Sequence, residues 1–387
     1  MKKKNHLYEQ LEDIDFIFYI YENQIKKNTK NKMKIEKFEN YLLLNIINIY
    51  NQIKNKQINF EPYHIFLVKE PKYRLIMSQT IKDKIINHMV SRKILLNVFE
   101  KSFIDANVAT LRGKGTSYGR KLTKKYINEI KKENKRIYYL KCDISKYFYN
   151  IDHEVLKQKI NKKIKDEAAL HLIYQIIDSS NDEKLYKKIN KICMLEYKRI
   201  ENKKTEDIEK RKQELMNIPK LFKKGKSIPI GNMTSQVFAV LYLNDFDHYV
   251  KEKLHMRYYV RYMDDFVFLS SDKEKLKQIY KEIKVILNKE YRLDLNPKTH
   301  IGTLENGLDF LGFHFILKNN KLYMRIRNRI KRNFKQKMKN YKENANLLNI
   351  IASYKGIILN GNGYSLFTRT LRQNNIIYEN YGIDYKI

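Results

Sequence analysis

The sequence predicts an α+β fold, and three observations predict it. Short apolar, β-rich runs recur between residues 63 and 326. Longer segments with apolar residues at three- and four-residue spacing separate them. Hydrophobic residues make up 43% of the chain, enough for a substantial core. At 387 residues, the length predicts two or three folding units, or one large catalytic core with an appendage.

The elements follow in order. Residues 1–60 read as helices, with Leu42, Leu43, Ile46, Ile47 and Tyr50 marking one buried face. In Tyr63–Met77 two β-rich runs flank Lys69-Glu70-Pro71-Lys72, a hairpin turn. Ile81–Phe99 is helical, Arg112-Gly113-Lys114-Gly115-Thr116 is a glycine-basic loop, and Lys121–Asn134 is a charged helix. Ile137–Cys142 is a short strand that ends at Asp143, and Ile151–Ile164 is a helix with Asp152 near its start. Residues 180–226 mix lysine and glutamate at helical spacing, which predicts a solvated helical insertion outside the core. Ser227–Gly231 is a turn or short strand, and Thr234–Leu254 is one long amphipathic helix. Within Arg257–Ser270, two β-rich halves flank Met263-Asp264-Asp265. Lys273–Glu290 is helical, Asp309–Phe315 and Lys321–Ile326 form a hairpin, and a basic helical tail follows. With 12 Gly and 5 Pro, little marks the boundaries between units.

Charge narrows the function classes. The chain has 78 Lys and Arg against 43 Asp and Glu, a net charge of +35. That excess predicts a polyanionic partner, nucleic acid first. The 30 Tyr and 18 Phe suit base stacking, although a lineage rich in Lys, Asn and Ile codons would give the same composition. Two cysteines, Cys142 and Cys193, exclude a disulfide scaffold and a cysteine zinc site, and fit a reducing compartment. The N-terminal MKKKNHLYEQLED turns polar, unlike a signal peptide, and no apolar run is long enough to cross a bilayer. The protein is expected to be soluble and cytoplasmic, with no membrane partner.

Two adjacent carboxylates, Asp264 and Asp265, between apolar β-rich runs are unusual, because they repel each other. Arg257, Arg261 or a metal would compensate them. Asp143 belongs at a strand end. If the two segments lie side by side in one sheet, three carboxylates converge on a hard oxygen site suited to Mg²⁺. Two such ions, roughly 3.5–4 Å apart, are a device for nucleotidyl transfer. The plainer readings are a turn or N-cap aspartate for Asp143 and a polar hairpin tip for Asp264-Asp265.

Tyr262-Met263-Asp264-Asp265 matches the YxDD signature of reverse transcriptases. Lys141-Cys142-Asp143-Ile144-Ser145-Lys146-Tyr147-Phe148, followed by Ile151-Asp152, resembles the first palm motif of that family. Ile228-Pro229-Ile230-Gly231-Asn232-Met233-Thr234-Ser235-Gln236 resembles the next one. Asn296-Pro297-Lys298-Thr299 and Phe310-Leu311-Gly312-Phe313 resemble the closing motifs. The ordered match runs from about residue 63 to 315, and more loosely to about 370. Within the family, the chain resembles bacterial reverse transcriptases of the group II intron and diversity-generating retroelement type, to which Ser353-Tyr354-Lys355-Gly356 and Ser365-Leu366-Phe367-Thr368 are also similar.

The resemblance implies a right-hand polymerase. It would have an N-terminal helical extension (1–60), fingers (61–136), a palm of antiparallel sheet backed by helices (137–315), and a basic helical thumb (316–387). Asp143, Asp264 and Asp265 would ligate two Mg²⁺ ions, with the Ile144 carbonyl as a further ligand. Lys298 would protonate pyrophosphate or bind backbone. Lys72 and Arg74 would hold the triphosphate of the dNTP; without the resemblance they read as a solvated hairpin. Phe148 would be the steric gate against a ribose 2′-hydroxyl, or else a core aromatic. Ile230, Gly231 and Gln236 would line the nucleotide site.

Most reverse transcriptases carry Gln where Ile230 stands. An apolar branched side chain donates no hydrogen bond there, which predicts weaker selection and reduced fidelity; the alternative is a packing residue. Arg112 and Lys114 belong to a loop similar to the family's fingers loop, although Thr110-Leu111 replaces the usual aromatic-Arg-Pro lead-in. From Lys318 to Lys342 there are eleven basic residues and no acidic one, among them Arg325, Arg327, Arg329, Lys331 and Arg332. This segment is expected to track template RNA and RNA–DNA hybrid phosphates.

Two settings stay open. The Ile230 motif points to a diversity-generating element, and the insertion and altered loop point to an antiphage defence enzyme. An accessory protein or a second reverse transcriptase subunit is a possible partner in either. An alternative class is a catalytically inactive polymerase-fold protein that binds RNA through its basic tail.

Overall fold

A computed structural model describes residues 3–69, 72–133, 135–201, 208–340 and 347–374. Parts of the expected turn at 69–72, the helix to 134, the insertion at 180–226 and the basic run to 342 fall outside these residues, as does the end of the tail. The chain folds as two compact units. One comprises Met1–Arg112, Ile144–His255 and Glu282–Asn296; the other comprises Gly113–Asp143, Met256–Lys281 and Pro297–Ile387.

In the first unit, the helices Ile14–Ile20, Lys32–Glu39 and Leu42–Lys54 form the expected N-terminal set. The buried face of the last is Ile46, Ile49 and Ile53, while Leu43 and Ile47 are exposed, so the apolar stripe read from the sequence is shifted around the helix. β1 (His64–Val68) pairs antiparallel with β2 (Arg74–Ser78), with Phe66 opposite Ile76. The helix Ile81–Met89 follows, capped by the Thr80 side chain. Asp152 caps the helix His153–Asn161 by accepting from the Glu154 and Val155 amides, and Arg292 pairs with its other oxygen at 2.7 Å. This satisfies amides that a helix start leaves without partners.

Two expectations need correction here. The insertion is no solvated appendage. Its helices Glu183–Glu201 and Ile208–Asn217 bury Leu185, Ile189, Cys193, Ile200 and Leu215 together with Ile65, Leu75 and Met77 of the β1–β2 hairpin. Most of the charged residues lie on the outer faces, so a mixed-charge composition concealed an apolar stripe. The segment Thr234–Leu254 is two helices, Met233–Tyr242 and Asn244–Glu252, broken at Leu243. The first is buried nearly all round, with Gln236 exposed, rather than amphipathic.

The second unit contains a four-stranded sheet in the order β4-β5-β3-β6. These strands are β3 (Tyr138–Asp143), β4 (Tyr259–Tyr262), β5 (Asp265–Ser270) and β6 (His300–Thr303). All three pairings are antiparallel. One face is a tight aromatic core in which Tyr259, Phe266 and Phe268 are fully buried, with Tyr259 and Phe268 stacked at 4.9 Å. The expected hairpin at 309–326 is a three-stranded sheet: β7 (Leu308–Phe310), β8 (Phe313–Lys318) and β9 (Lys321–Ile326). The turn at Leu311-Gly312, both with positive φ, divides the first run in two.

The tail is helical, as expected, over Asn328–Lys339, Leu347–Leu359 and Tyr364–Arg372. Phe334 stacks on Phe367 at 5.4 Å, so the apolar side faces inward while Arg329 and Arg332 stay exposed.

Candidate active site

The carboxylates are placed by strand register. Asp143, the last residue of β3, lies directly opposite Asp265, the first residue of β5. Tyr262 pairs with Asp265, so Met263 and Asp264 form a two-residue hairpin loop. Such loops favour positive φ at their centre, usually supplied by glycine, yet Met263 adopts φ 57°. Arg261, fully buried on β4, donates from Nη1 to the Met263 carbonyl at 3.1 Å and fixes this turn. Arg257, the other expected counter-charge, pairs with Glu129 at 3.0 Å.

A third cation, which the sequence reading did not single out, lies at the carboxylates. The Lys141 ammonium contacts the Asp265 carboxylate. Its signal was present in the spacing: two residues before Asp143 on the same strand, Lys141 projects from the same face. Burial pulls its pKa down to about 8, against the opposing pull of Asp143 and Asp264.

Lys141, Asp143 and Asp265 line a cavity of about 360 Å³ with Lys298, His300, Asp309, His314 and Arg327. Of these, Lys298 and Arg327 were expected to be functional, while His300, His314 and Asp309 were not. His314 Nδ1 lies 2.9 Å from Asp309 Oδ1, and Arg327 Nε lies 3.8 Å from the same oxygen. These residues are scattered from just before β6 to just after β9, so no local sequence pattern unites them.

The donor set fits a hard divalent cation in chemistry. It offers carboxylate oxygens from Asp143 at the end of β3, Asp265 opposite it at the start of β5, and Asp264 in the adjoining turn. The side chains themselves are less convergent than expected. Among the described residues, no three His, Cys, Asp or Glu side chains stand together as a metal-holding group. Lys141 engages the Asp265 carboxylate there. Ile144, next in the chain, is buried and bridges Leu295.

In the first unit, Lys72 is exposed just before β2, and Arg74 is exposed at the start of β2 opposite Val68. Phe148 is half-buried in the short helix Tyr147–Asn150, with its carbonyl accepting from Ile228 N at 2.9 Å. The half-buried Ile230 accepts at its carbonyl from Met77 N at 3.2 Å. Gly231 has φ 126°, and a Cβ there would stand 3.2 Å from the Met77 carbonyl oxygen, so both conformation and space call for glycine. Thus Phe148 joins the 228–231 turn, and that turn joins β2.

The remaining basic residues are dispersed. Arg112 is exposed, Lys114 lies 5.9 Å from the Tyr118 ring, and exposed Arg325 lies 5.8 Å from the Tyr323 ring. Lys331 is half-buried.

Comparison with known proteins completes the picture. Among solved structures, telomerase from Candida tropicalis truncated from its C-terminal domain is 16% identical with a TM-score of 0.47, over 74% of this chain and 60% of that one. The telomerase of the same organism in complex with a TWJ fragment of telomeric RNA is 14% identical with a TM-score of 0.46, over 82% of this chain and 54% of that one. The chain therefore spans less than two thirds of either telomerase chain. Among curated proteins, none matches. The model of the reverse transcriptase (RNA-dependent DNA polymerase) family matches residues 53–315, a span that contains every carboxylate just described. A match over well over half the length, with its aspartates paired across adjacent strands, makes this chain a member of the reverse transcriptase family.

Proposed function

We propose that this chain is an RNA-directed DNA polymerase that makes cDNA from an RNA template by two-metal nucleotidyl transfer. The observation that carries the reading is the register of Asp143 against Asp265, with Asp264 in the adjoining turn, inside a reverse transcriptase family match. In this reading Asp143, Asp264, Asp265 and the Ile144 carbonyl hold two Mg²⁺ ions. Bound there, such ions would supply Lewis-acid activation of the primer 3′-hydroxyl and charge stabilisation for the leaving pyrophosphate. Lys298 holds a proton for the pyrophosphate or binds backbone. Lys72 and Arg74 grip the dNTP triphosphate, and Phe148 rejects the ribose 2′-hydroxyl by steric clash. Ile230, Gly231 and Gln236 contact the incoming nucleotide. Residues 61–136 act as fingers, 137–315 as palm and 316–387 as thumb, preceded by the helical extension 1–60. Template RNA and the RNA–DNA hybrid lie against Arg112, Lys114, Arg325, Arg327, Arg329, Lys331 and Arg332; the net charge of +35 supports this.

Low fidelity belongs to the same proposal. Ile230 supplies no side-chain donor at a nucleotide contact, and its backbone is already engaged by Met77. Ile230→Gln should reduce misincorporation by roughly tenfold, about the discrimination that one hydrogen bond confers. An unchanged error spectrum would mean that Ile230 only packs. The setting is a diversity-generating retroelement or an antiphage defence system, with an accessory protein or a second reverse transcriptase subunit as partner. A variable repeat beside the gene, or a defence island, separates the two.

Primer extension with dNTPs and Mg²⁺ on an RNA template tests the activity. Incorporation that requires all three aspartates is the expected result. No incorporation on any template, with RNA binding retained, would replace this reading with that of an inactive RNA-binding protein.

A further inference from the structure

The β1–β2 hairpin, which carries Lys72 and Arg74, is held by a part of the chain more than a hundred residues away. Two strands alone are marginally stable in water, so this hairpin needs a support. Its inward face, Ile65, Leu75 and Met77, packs on the apolar stripe of the 183–218 insertion. Above that contact, one carboxylate reaches both arms of the hairpin near its turn. Glu196 Oε1 lies 2.6 Å from Lys69 Nζ, just past β1, and accepts from the Tyr73 hydroxyl, just before β2, at 3.3 Å. The Glu196 side chain is only 11% exposed, and the residue Tyr73 is 8% exposed. A second glutamate of the insertion, Glu214, accepts from the Tyr73 amide at 3.5 Å, and Lys188 donates to the Tyr63 carbonyl at the base of β1 at 3.1 Å.

We propose that Glu196 is a positioning residue for nucleotide binding: from the insertion it clamps Lys69 to Tyr73 and so fixes the segment bearing Lys72 and Arg74. The inference rests on the reading of those two side chains as triphosphate ligands and deepens it. Glu196 touches no substrate. Its effect runs through the hairpin's conformational freedom, because a triphosphate site held ready before binding loses less entropy when filled. The insertion then serves as a brace that makes the nucleotide-binding hairpin a rigid element.

The test uses the full-length protein. In single-nucleotide extension, Glu196→Ala should raise KM for dNTP about five- to tenfold, with kcat within about twofold, because a ground-state positioning contact is lost. Glu196→Gln keeps an acceptor for the Tyr73 hydroxyl and should recover most of that loss. Amide hydrogen exchange over residues 64–78 should accelerate in Glu196→Ala, while β3 and β5 stay protected. Unchanged exchange and unchanged KM in a folded Glu196→Ala protein would overturn the proposal, as would a fall in kcat with no change in KM. The exchange arm needs no activity. A wild-type protein that incorporates nothing strikes the reading of Lys72 and Arg74 as dNTP ligands, whereas unchanged exchange in the variant strikes the brace.

Discussion

Two hairpins carry the chemistry proposed for this member of the reverse transcriptase family, and they are stabilised in opposite ways. The β4–β5 hairpin lies within a sheet, with β5 paired on both sides and Phe266, Val267, Phe268 and Leu269 essentially inaccessible. Ladder pairing alone sets Asp265 against Asp143. The β1–β2 hairpin is a sheet of two strands whose inner face is covered by the insertion. The carboxylates are thus fixed by backbone pairing, which tolerates much side-chain change. Lys72 and Arg74 depend on side-chain packing between segments far apart in sequence.

The largest effect should come from the paired carboxylates. Asp143→Asn, Asp264→Asn or Asp265→Asn should each lower incorporation by about a thousandfold or more in primer extension, because each removes a charge from the transition-state electrostatics. RNA affinity should be unchanged or slightly higher. If one variant retains activity within tenfold of wild type, that aspartate is an ordinary turn or strand-end residue and nothing more.

The same contrast explains what was legible in the sequence. Asp143 and Asp264-Asp265 stood out because apolar runs ended in charge; their convergence was read on the condition that the two segments share a sheet, and the register itself is supplied by the fold. Lys141 obeyed the same periodicity and was missed only because a lysine in a basic chain carries little information. The insertion was misread for a different reason. Ile189 and Cys193 are four apart on a helix crowded with lysines, and what they pack against, residues 63–77, lies over a hundred positions earlier. Composition reports the exposed side of a helix; it does not report a distant partner. The break at Leu243 was hidden likewise, because a fully buried helix has no polar face to show where it ends. His300, Asp309 and His314 come together only once β6, β7 and β8 have folded around one cavity.

Truncating the brace should separate the two hairpins experimentally. Ile189 is inaccessible within the shared core, so Ile189→Ala should cost about 2–4 kcal/mol through lost burial and a cavity. The cost should be localised. Urea melts should show the loss, and exchange should quicken in residues 64–78 ahead of residues 138–143. Uniform loosening of both segments would mean that the insertion supports the whole fold rather than one hairpin.

A smaller, pH-dependent difference marks the helical layer that follows the braced hairpin. Asp265 has the opposite charge of Lys141 against it, whereas His88, half-buried in the helix Ile81–Met89, has the like charges of Arg92 and Lys84 near it. Burial, with Arg92 and then Lys84 adding to it, lowers the His88 pKa from 6.5 to about 4. His88 Nδ1 and Arg92 Nε are both buried without a hydrogen-bond partner. Between pH 6.5 and 4 the unfolded chain binds a proton at this histidine while the folded chain does not. Stability therefore falls as pH drops through that window and is independent of His88 above it. For a half-buried group the loss should be about 2 kcal/mol near pH 4. His88→Gln cannot take up that proton, so its urea midpoint should change less than that of wild type between pH 7 and pH 4.5. Equal changes would mean that carboxylates elsewhere govern the acid response. A smaller change in the variant places part of the acid sensitivity at His88 in the helix Ile81–Met89.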